Sequence, residues 1–163
     1  MGARGTPATA MVAKAEVEHR IHEYDHDPAA PSYGLEAAER LGVDPATVFK
    51  TLVATVEGRL VVAVVPVAGR LDLKALAAAG SRRAVMAEPA DAERATGYVV
   101  GGISPLGHRK RLDVFLDESM RDLTSALVSA GRRGLQLELA PADLARLAGA
   151  TFAPLTSAGT TPA

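Results

Sequence analysis

The stretch FKTLVATVEGRLVVAVVPV, residues 49–67, constrains this chain more than any other. Two runs rich in β-branched residues, 49–57 and 60–67, flank a Gly58-Arg59 link, the pattern of a β-hairpin. LVVAVVPVA (60–68) is the longest apolar run; it reads as a buried strand and falls well short of the roughly 20 residues a membrane-spanning helix needs. With 163 residues, no Trp and 4% aromatics, the chain has to build one core from Val, Leu, Ala and Ile.

Around the hairpin the elements are short. Thr6-Pro7 predicts a helix running to about Glu18. RIHEY (20–24) alternates as a strand, 25–34 is a turn-rich loop, and LEAAERLG (35–42) predicts a helix closed by Gly42. Asp72 can cap a helix over 73–80, AVMA (84–87) suggests a strand, and 88–97 suggests a helix ended by Gly97. Strands are expected at 113–118, 125–131 and 134–140, then a helix over 141–149 and a loose tail. No βαβ rhythm appears, which argues for an α+β domain with a mostly antiparallel, strongly curved sheet.

Charge and cysteine content exclude whole classes of chemistry. Net charge is −1, so a tight, salt-driven nucleic-acid binder is disfavoured, although a local basic patch is compatible with it. The absence of Cys removes disulfides, thiolate metal sites and a cysteine nucleophile. The four histidines (19, 22, 26, 108) lack metal-ligand spacing, no Gly-x-Ser-x-Gly elbow occurs, and no cofactor is implied. The first residues lack the apolar segment of a secretory signal, which leaves the cytoplasm as the expected location.

Three features can carry chemistry. In FKTLVATV, Lys50 opens an otherwise apolar row of Leu52, Ala54 and Val56; it is either a strand-end lysine snorkelling to water or a pocket cation. GYVVGGISPLGHRKRL (97–112) has P-loop glycine spacing, but His108 and Arg109 stand where Lys and Ser/Thr belong, so a triphosphate site is rejected. Gly101 and Gly102 either let a ligand approach the backbone or form a bulge or tight corner. VSAGRRGLQLEL (128–139) is either a hairpin with solvated Arg132 and Arg133 or a second wall of a site.

YDHDPA (24–29), VFKTLVA (48–54), PVAGRLDLKALA (66–77), TGYVVGGISPLGHRKRL (96–112) and VSAGRRGLQLEL together resemble the YbaK/EbsC family, in order, from about Thr6 to Phe152. Members of that family are similar to the editing domain of bacterial prolyl-tRNA synthetases. The resemblance implies a single compact editing domain over 6–152, a curved barrel-like sheet ringed by short helices, and a flexible tail over 153–163. It implies hydrolysis of cysteine mischarged on proline tRNA, with the substrate's own thiol attacking its ester carbonyl. Lys50 matches the family's pocket lysine, and Tyr24, Gly101 and Ser129 match further active-site positions. On that basis Lys50 and the amides of Gly101 and Gly102 would polarise the ester, with Tyr24, Ser129 and Gln136 at the substrate. Gln136 departs from relatives, which carry an aspartate there. Arg109, Lys110, Arg111, Arg132 and Arg133 would meet the tRNA acceptor end, and prolyl-tRNA synthetase is a candidate partner. A deacylase for another mischarge, such as alanine on proline tRNA, and a non-catalytic tRNA-binding or nucleotide-binding module are the competing expectations.

Overall fold

A computed structural model of the chain describes residues 5–30, 32–80 and 83–156. The elements in chain order are α1 (Pro7–Ala15), β1 (His19–Glu23), α2 (Tyr33–Leu41), β2 (Phe49–Val56), β3 (Arg59–Pro66), α3 (Leu73–Gly80) and β4 (Ala84–Met86). They continue with α4 (Pro89–Thr96), β5 (Asp113–Asp117), β6 (Ala126–Arg132), β7 (Leu135–Leu139), α5 (Pro141–Ala148) and β8 (Thr151–Ala153).

Local chemistry sets the ends. Thr6 caps α1 by accepting the Thr9 N–H at 3.1 Å, while the Thr9 hydroxyl accepts the Thr6 N–H at 2.8 Å. The helix stops at Glu16 in a left-handed conformation, short of Glu18. Ser32 accepts the Leu35 N–H and so starts α2 two residues ahead of the expected position, which puts Tyr33 and Gly34 in its first turn. The β2–β3 turn falls on Glu57 and Gly58, both at positive φ (52° and 82°), one residue before the expected link.

The strands form two sheets in place of one curved sheet, and neither closes into a barrel. The first is antiparallel, in the order β1-β7-β6. The second, in the order β4-β2-β3-β5-β8, is mixed: the hairpin and β4 pair antiparallel, but β5 joins β3, and β8 joins β5, in parallel. Antiparallel pairing still predominates. Among the described residues an isolated bridge between Val48 and Leu127 links the two sheets.

The main core fills the space between them. Phe49, Val53, Val62 and Val64 pack there with Val114, Leu116, Val128, Leu135, Leu137 and Leu139. The opposite face of the hairpin (Ala54, Val56, Ala63, Val65) is covered by Leu76 of α3 and by Leu155. β2 and β3 are thus buried on both faces, as their Val-rich composition requires. A third cluster joins Ala37 and Ala38 of α2 to Val48, Val67 and Leu127, fixing α2 where the sheets meet.

The expected tail is anchored at its start. The Asp117 carboxylate accepts the Leu155 N–H at 2.8 Å, Leu155 is buried, and Thr156 bridges to Leu71. Residues 157–163 lie outside the described residues.

Candidate active site

A cavity of about 390 Å³ opens where the two sheets diverge. Its back wall is the N-terminal half of β2. The Val48 carbonyl accepts the Val67 N–H just past the end of β3, whereas the Val53 carbonyl accepts the Ala87 N–H on the other side. In an antiparallel ladder these groups alternate sides, so the odd-numbered residues of β2 turn their backbone groups away from β3. Strand β4 reaches only Ala54 to Val56, leaving Thr51 without a strand partner on that side. The cavity runs along this open edge and is lined from both faces of the strand, by Lys50 and Leu52 on one and by Phe49, Thr51 and Val53 on the other.

Lys50 is half-buried and lines the cavity. Burial and, less, the nearby Arg70 charge hold its ammonium below the usual lysine pKa. Facing it in the same cavity are Ser129 and Gln136, cross-strand partners on β6 and β7. The Ser129 hydroxyl oxygen accepts the Gly131 N–H at 3.2 Å, within a β-bulge between Ser129 and Arg132. Its own proton remains available to a ligand.

Tyr24 enters from the end of β1, held by its N–H on the Gly134 carbonyl at 3.0 Å. Burial, and then the Glu36 charge, raise its phenol pKa, so it is a neutral donor at pH 7. Behind it the buried Glu36 accepts the Asp27 N–H at 2.6 Å and bonds His26 at 2.8 Å. Burial pushes the Glu36 carboxyl pKa up, but those hydrogen bonds and the His26 charge outweigh it and hold it low. The network ties the loop after Tyr24 to α2, whose Tyr33 and Gly34 form the other side of the cavity.

Among the described residues, two polar atoms of cavity-lining side chains are buried without a hydrogen-bond partner, Thr51 Oγ1 and Gln136 Oε1. Each such group costs about 1–3 kcal/mol if left unmatched, so a partner supplied from the cavity would be stabilising. Thr51, Ser32, Tyr33 and Gly34 were not singled out in the sequence, and no local pattern distinguishes them; the edge of β2 and the start of α2 bring them in.

The glycine pair divides. Gly101 lines the cavity at φ +93°, and a Cβ there would come within 2.6 Å of Arg133 and 2.7 Å of the Tyr33 ring. Gly102 is not on the cavity wall: its N–H is bonded to the Val99 carbonyl at 2.8 Å, and a Cβ would stand 2.7 Å from the Arg132 Cα. It is a packing glycine, so the expected donor role of its amide has no structural basis. The unpaired edge of β2 at Thr51 offers a backbone donor to the same cavity instead.

The five basic residues do not share one surface. Arg133 sits at the cavity mouth, its guanidinium 4.4 Å from the Tyr33 ring centre and donating to the Val100 carbonyl at 2.6 Å. Arg132 pairs with Glu23 at 3.1 Å. Arg109 packs over Gly97, and Lys110 and Arg111 line a separate groove with His108, Leu112 and Arg146. Among the described residues no group of His, Asp or Glu is arranged to hold a metal, and no helix is long and apolar enough to cross a membrane.

Comparison with known proteins agrees with this geometry. A curated Enterococcus faecalis protein named "Putative Cys-tRNA(Pro)/Cys-tRNA(Cys) deacylase EbsC" is 39% identical over 159 residues, 93% of each chain. YwhH of Bacillus subtilis, which carries no functional name, is 28% identical over 128 residues, 78% of this chain and 80% of its own. Among solved structures, one described as "a putative trans-editing enzyme for prolyl tRNA synthetase" superposes with a TM-score of 0.81 at 24% identity, covering 95% of this chain and 99% of its own. The hypothetical protein APE2540 superposes with a TM-score of 0.82 at 22% identity, covering 93% and 100%. At those identities the two structures speak for the fold alone. The description of the aminoacyl-tRNA editing domain matches residues 27–147, the span that holds the whole β2 edge, Ser129, Gln136 and the cavity mouth. With most of its length matched in this way, the chain belongs to the aminoacyl-tRNA editing family.

Proposed function

We propose that this chain is a free-standing deacylase that removes cysteine mischarged on proline tRNA. The observation that carries the reading is the cavity itself: among the described residues Lys50 is its only charged side chain, set among largely apolar walls with two unmatched polar atoms. Its volume of about 390 Å³ lies at the small end of ligand pockets, roughly 300–1,000 Å³, a fit for an aminoacyl group and its ribose. The name of the Enterococcus relative points to the same reaction.

The chemistry needs no nucleophile from the protein. The substrate thiol forms a new S–C bond to the ester carbonyl, the C–O bond to the ribose breaks, and the thiol proton leaves with the ribose oxygen. Water then opens the strained cyclic thioester. Lys50 and the backbone of the β2 edge stand where the carbonyl oxygen gathers charge. Tyr24, Ser129 and Gln136 orient the aminoacyl group, and Gly101 keeps the mouth open for the ribose. The tRNA acceptor end is the partner that reaches the cavity; Arg133 guides it in, while Arg109, Lys110, Arg111 and Arg132 meet its phosphates farther out. Prolyl-tRNA synthetase is a candidate source of the substrate. Editing of this kind serves where two amino acids are too alike in size to be separated by one binding pocket.

The test is hydrolysis of Cys-tRNA(Pro), Ala-tRNA(Pro) and Pro-tRNA(Pro) side by side, wild type against Lys50→Ala. Loss of cysteine alone, falling at least 100-fold in the variant while its melting temperature holds, is the expected result, the size following from removal of one oxyanion donor. Preferred loss of alanine would move the assignment to that substrate. No hydrolysis of any of the three would leave a binding module.

A further inference from the structure

We infer that Gln136 reads the substituent on the substrate's α-carbon as an uncharged hydrogen-bond donor, so that the pocket takes an α-hydroxyacyl ester as readily as an aminoacyl ester. The inference rests on the deacylase reading above and names the substrate class of that same site.

Gln136 lies on β7, the central strand of its sheet, between His22 of β1 and Ser129 of β6. It is 7% exposed, lines the cavity, and its Oε1 has no partner among the described residues. A carboxamide oxygen only accepts, so what completes it must present an N–H or O–H. An aminoacyl ester presents such a group on its α-carbon, directly beside the reacting carbonyl, while the vicinal ribose hydroxyl lies on the other side of the ester.

The charge balance decides which form of that group fits. Among the described residues no carboxylate lines the cavity, and its one charged residue is the cation Lys50. Asp25 and Glu88, next in sequence to cavity-lining residues, are exposed and do not themselves line the cavity, and the other nearby acids are held elsewhere. Glu138, two residues along the same face of β7, bonds His22 at 2.8 Å and Ser125 at 2.6 Å. Glu36 bonds His26 and the Asp27 N–H, Glu23 pairs with Arg132, and Glu93 at the rim accepts the Val100 N–H at 2.9 Å. Arg133 by Tyr33 and Arg70 near Lys50 add to the positive side. An α-ammonium entering here meets like charge with no counter-ion, which disfavours the charged form. A free α-amine, whose ordinary pKa is about 8, sheds that proton at little cost near neutral pH, and a hydroxyl never carries it.

The experiment uses the full chain and two non-hydrolysable analogues of the aminoacylated terminal adenosine, amide-linked at the 3′ position. One carries cysteine and the other 3-mercaptolactic acid, which differ only in the α-amino or α-hydroxy group. Expected is binding of the two by wild type within about threefold of each other at pH 7. The Gln136→Glu variant should shift that ratio at least tenfold towards the amine, because it supplies the missing counter-charge. Gln136→Met, neutral and of similar size, should weaken both alike. A wild-type preference of tenfold or more for the amine would overturn the inference while leaving the deacylase reading intact, as would an unmoved ratio in a folded Gln136→Glu protein. Binding of neither analogue, together with no hydrolysis of Cys-tRNA(Pro), would remove both.

Discussion

The segments 101–111 and 131–134 look alike in sequence, glycines followed by or enclosing arginines, yet the fold uses them differently. GRRG makes the bulge and the tight turn between β6 and β7, with Gly131 and Gly134 at φ +117° and +85°, and this swings Arg133 over Tyr33 at the cavity mouth. In GGISPLGHRKR only Gly101 and Ile103 touch the cavity, and Lys110 and Arg111 are carried round to another groove. The difference teaches that a basic run is a surface only after the backbone has chosen its direction. A guanidinium already seated on an aromatic ring and a carbonyl is preorganised to meet a substrate, whereas solvated lysines act through screened, long-range attraction.

The comparison can be broken most severely at Gly102, where the two segments touch. Gly102→Ala puts a Cβ against the Arg132 and Arg133 backbone, which cannot swing aside as a side chain could. A loss of about 1–3 kcal/mol in denaturant unfolding is expected from this overpacking, with hydrolysis falling alongside it. Unchanged stability would mean that the segments are not locked together.

Next in size is the contrast between the arginines. Arg133→Ala should lower kcat/KM on a minimal aminoacyl-adenosine ester about tenfold, in line with loss of a charged hydrogen bond of about 1.5–3 kcal/mol discounted for its exposure. Charge reversal at Lys110 and Arg111 should leave that ester within about twofold and weaken only full-length tRNA, with a shallower dependence on salt. Equal effects of both changes on the small ester would erase the distinction.

The smallest effect concerns His108, the one member of HRKR turned inwards. Its Nε2–H donates to the Ser104 carbonyl at 2.7 Å, and its ring stands edge-on to Tyr98 at 6.3 Å. Burial depresses its pKa, an effect the Ser104 bond only partly offsets. The folded form therefore binds fewer protons than the unfolded chain, and its stabilising contribution is present above the ordinary imidazole pKa of about 6.5 and lost as pH falls below it. Melting temperature between pH 7.5 and 5 should fall less steeply for His108→Phe than for wild type, by on the order of a few degrees. Parallel curves would count against a buried neutral imidazole.

Much of this was legible locally. The hairpin, the caps at Thr6 and Asp72, the helix ends at Gly42 and Gly97 and the alternation of β7 are short-range effects, and they stand in the structure within a residue or two. Lys50 stood out as a cation interrupting an apolar row, a pattern that left a strand-end lysine and a pocket cation both open. Thr51 did not stand out, since an edge residue differs from an interior one only through the strand that fails to pair with it. The parallel addition of β5 and β8 was equally hidden, because pairing between distant segments leaves no local period.

By itself, then, the sequence determined most of the elements, a core of small aliphatic residues, and Lys50 as a candidate pocket cation, with Ser129 and Gln136 marked by the family resemblance. Only the tertiary structure decided that the sheets part at the β2 edge, that Gly101 faces the opening while Gly102 faces backbone, and that one arginine of five sits firmly at the mouth. The physical reason is range: turns, caps and periodicity are settled among neighbours in sequence, whereas an open edge and a buried atom without a partner exist only once residues such as Thr51 and Gln136 have been brought to one cavity.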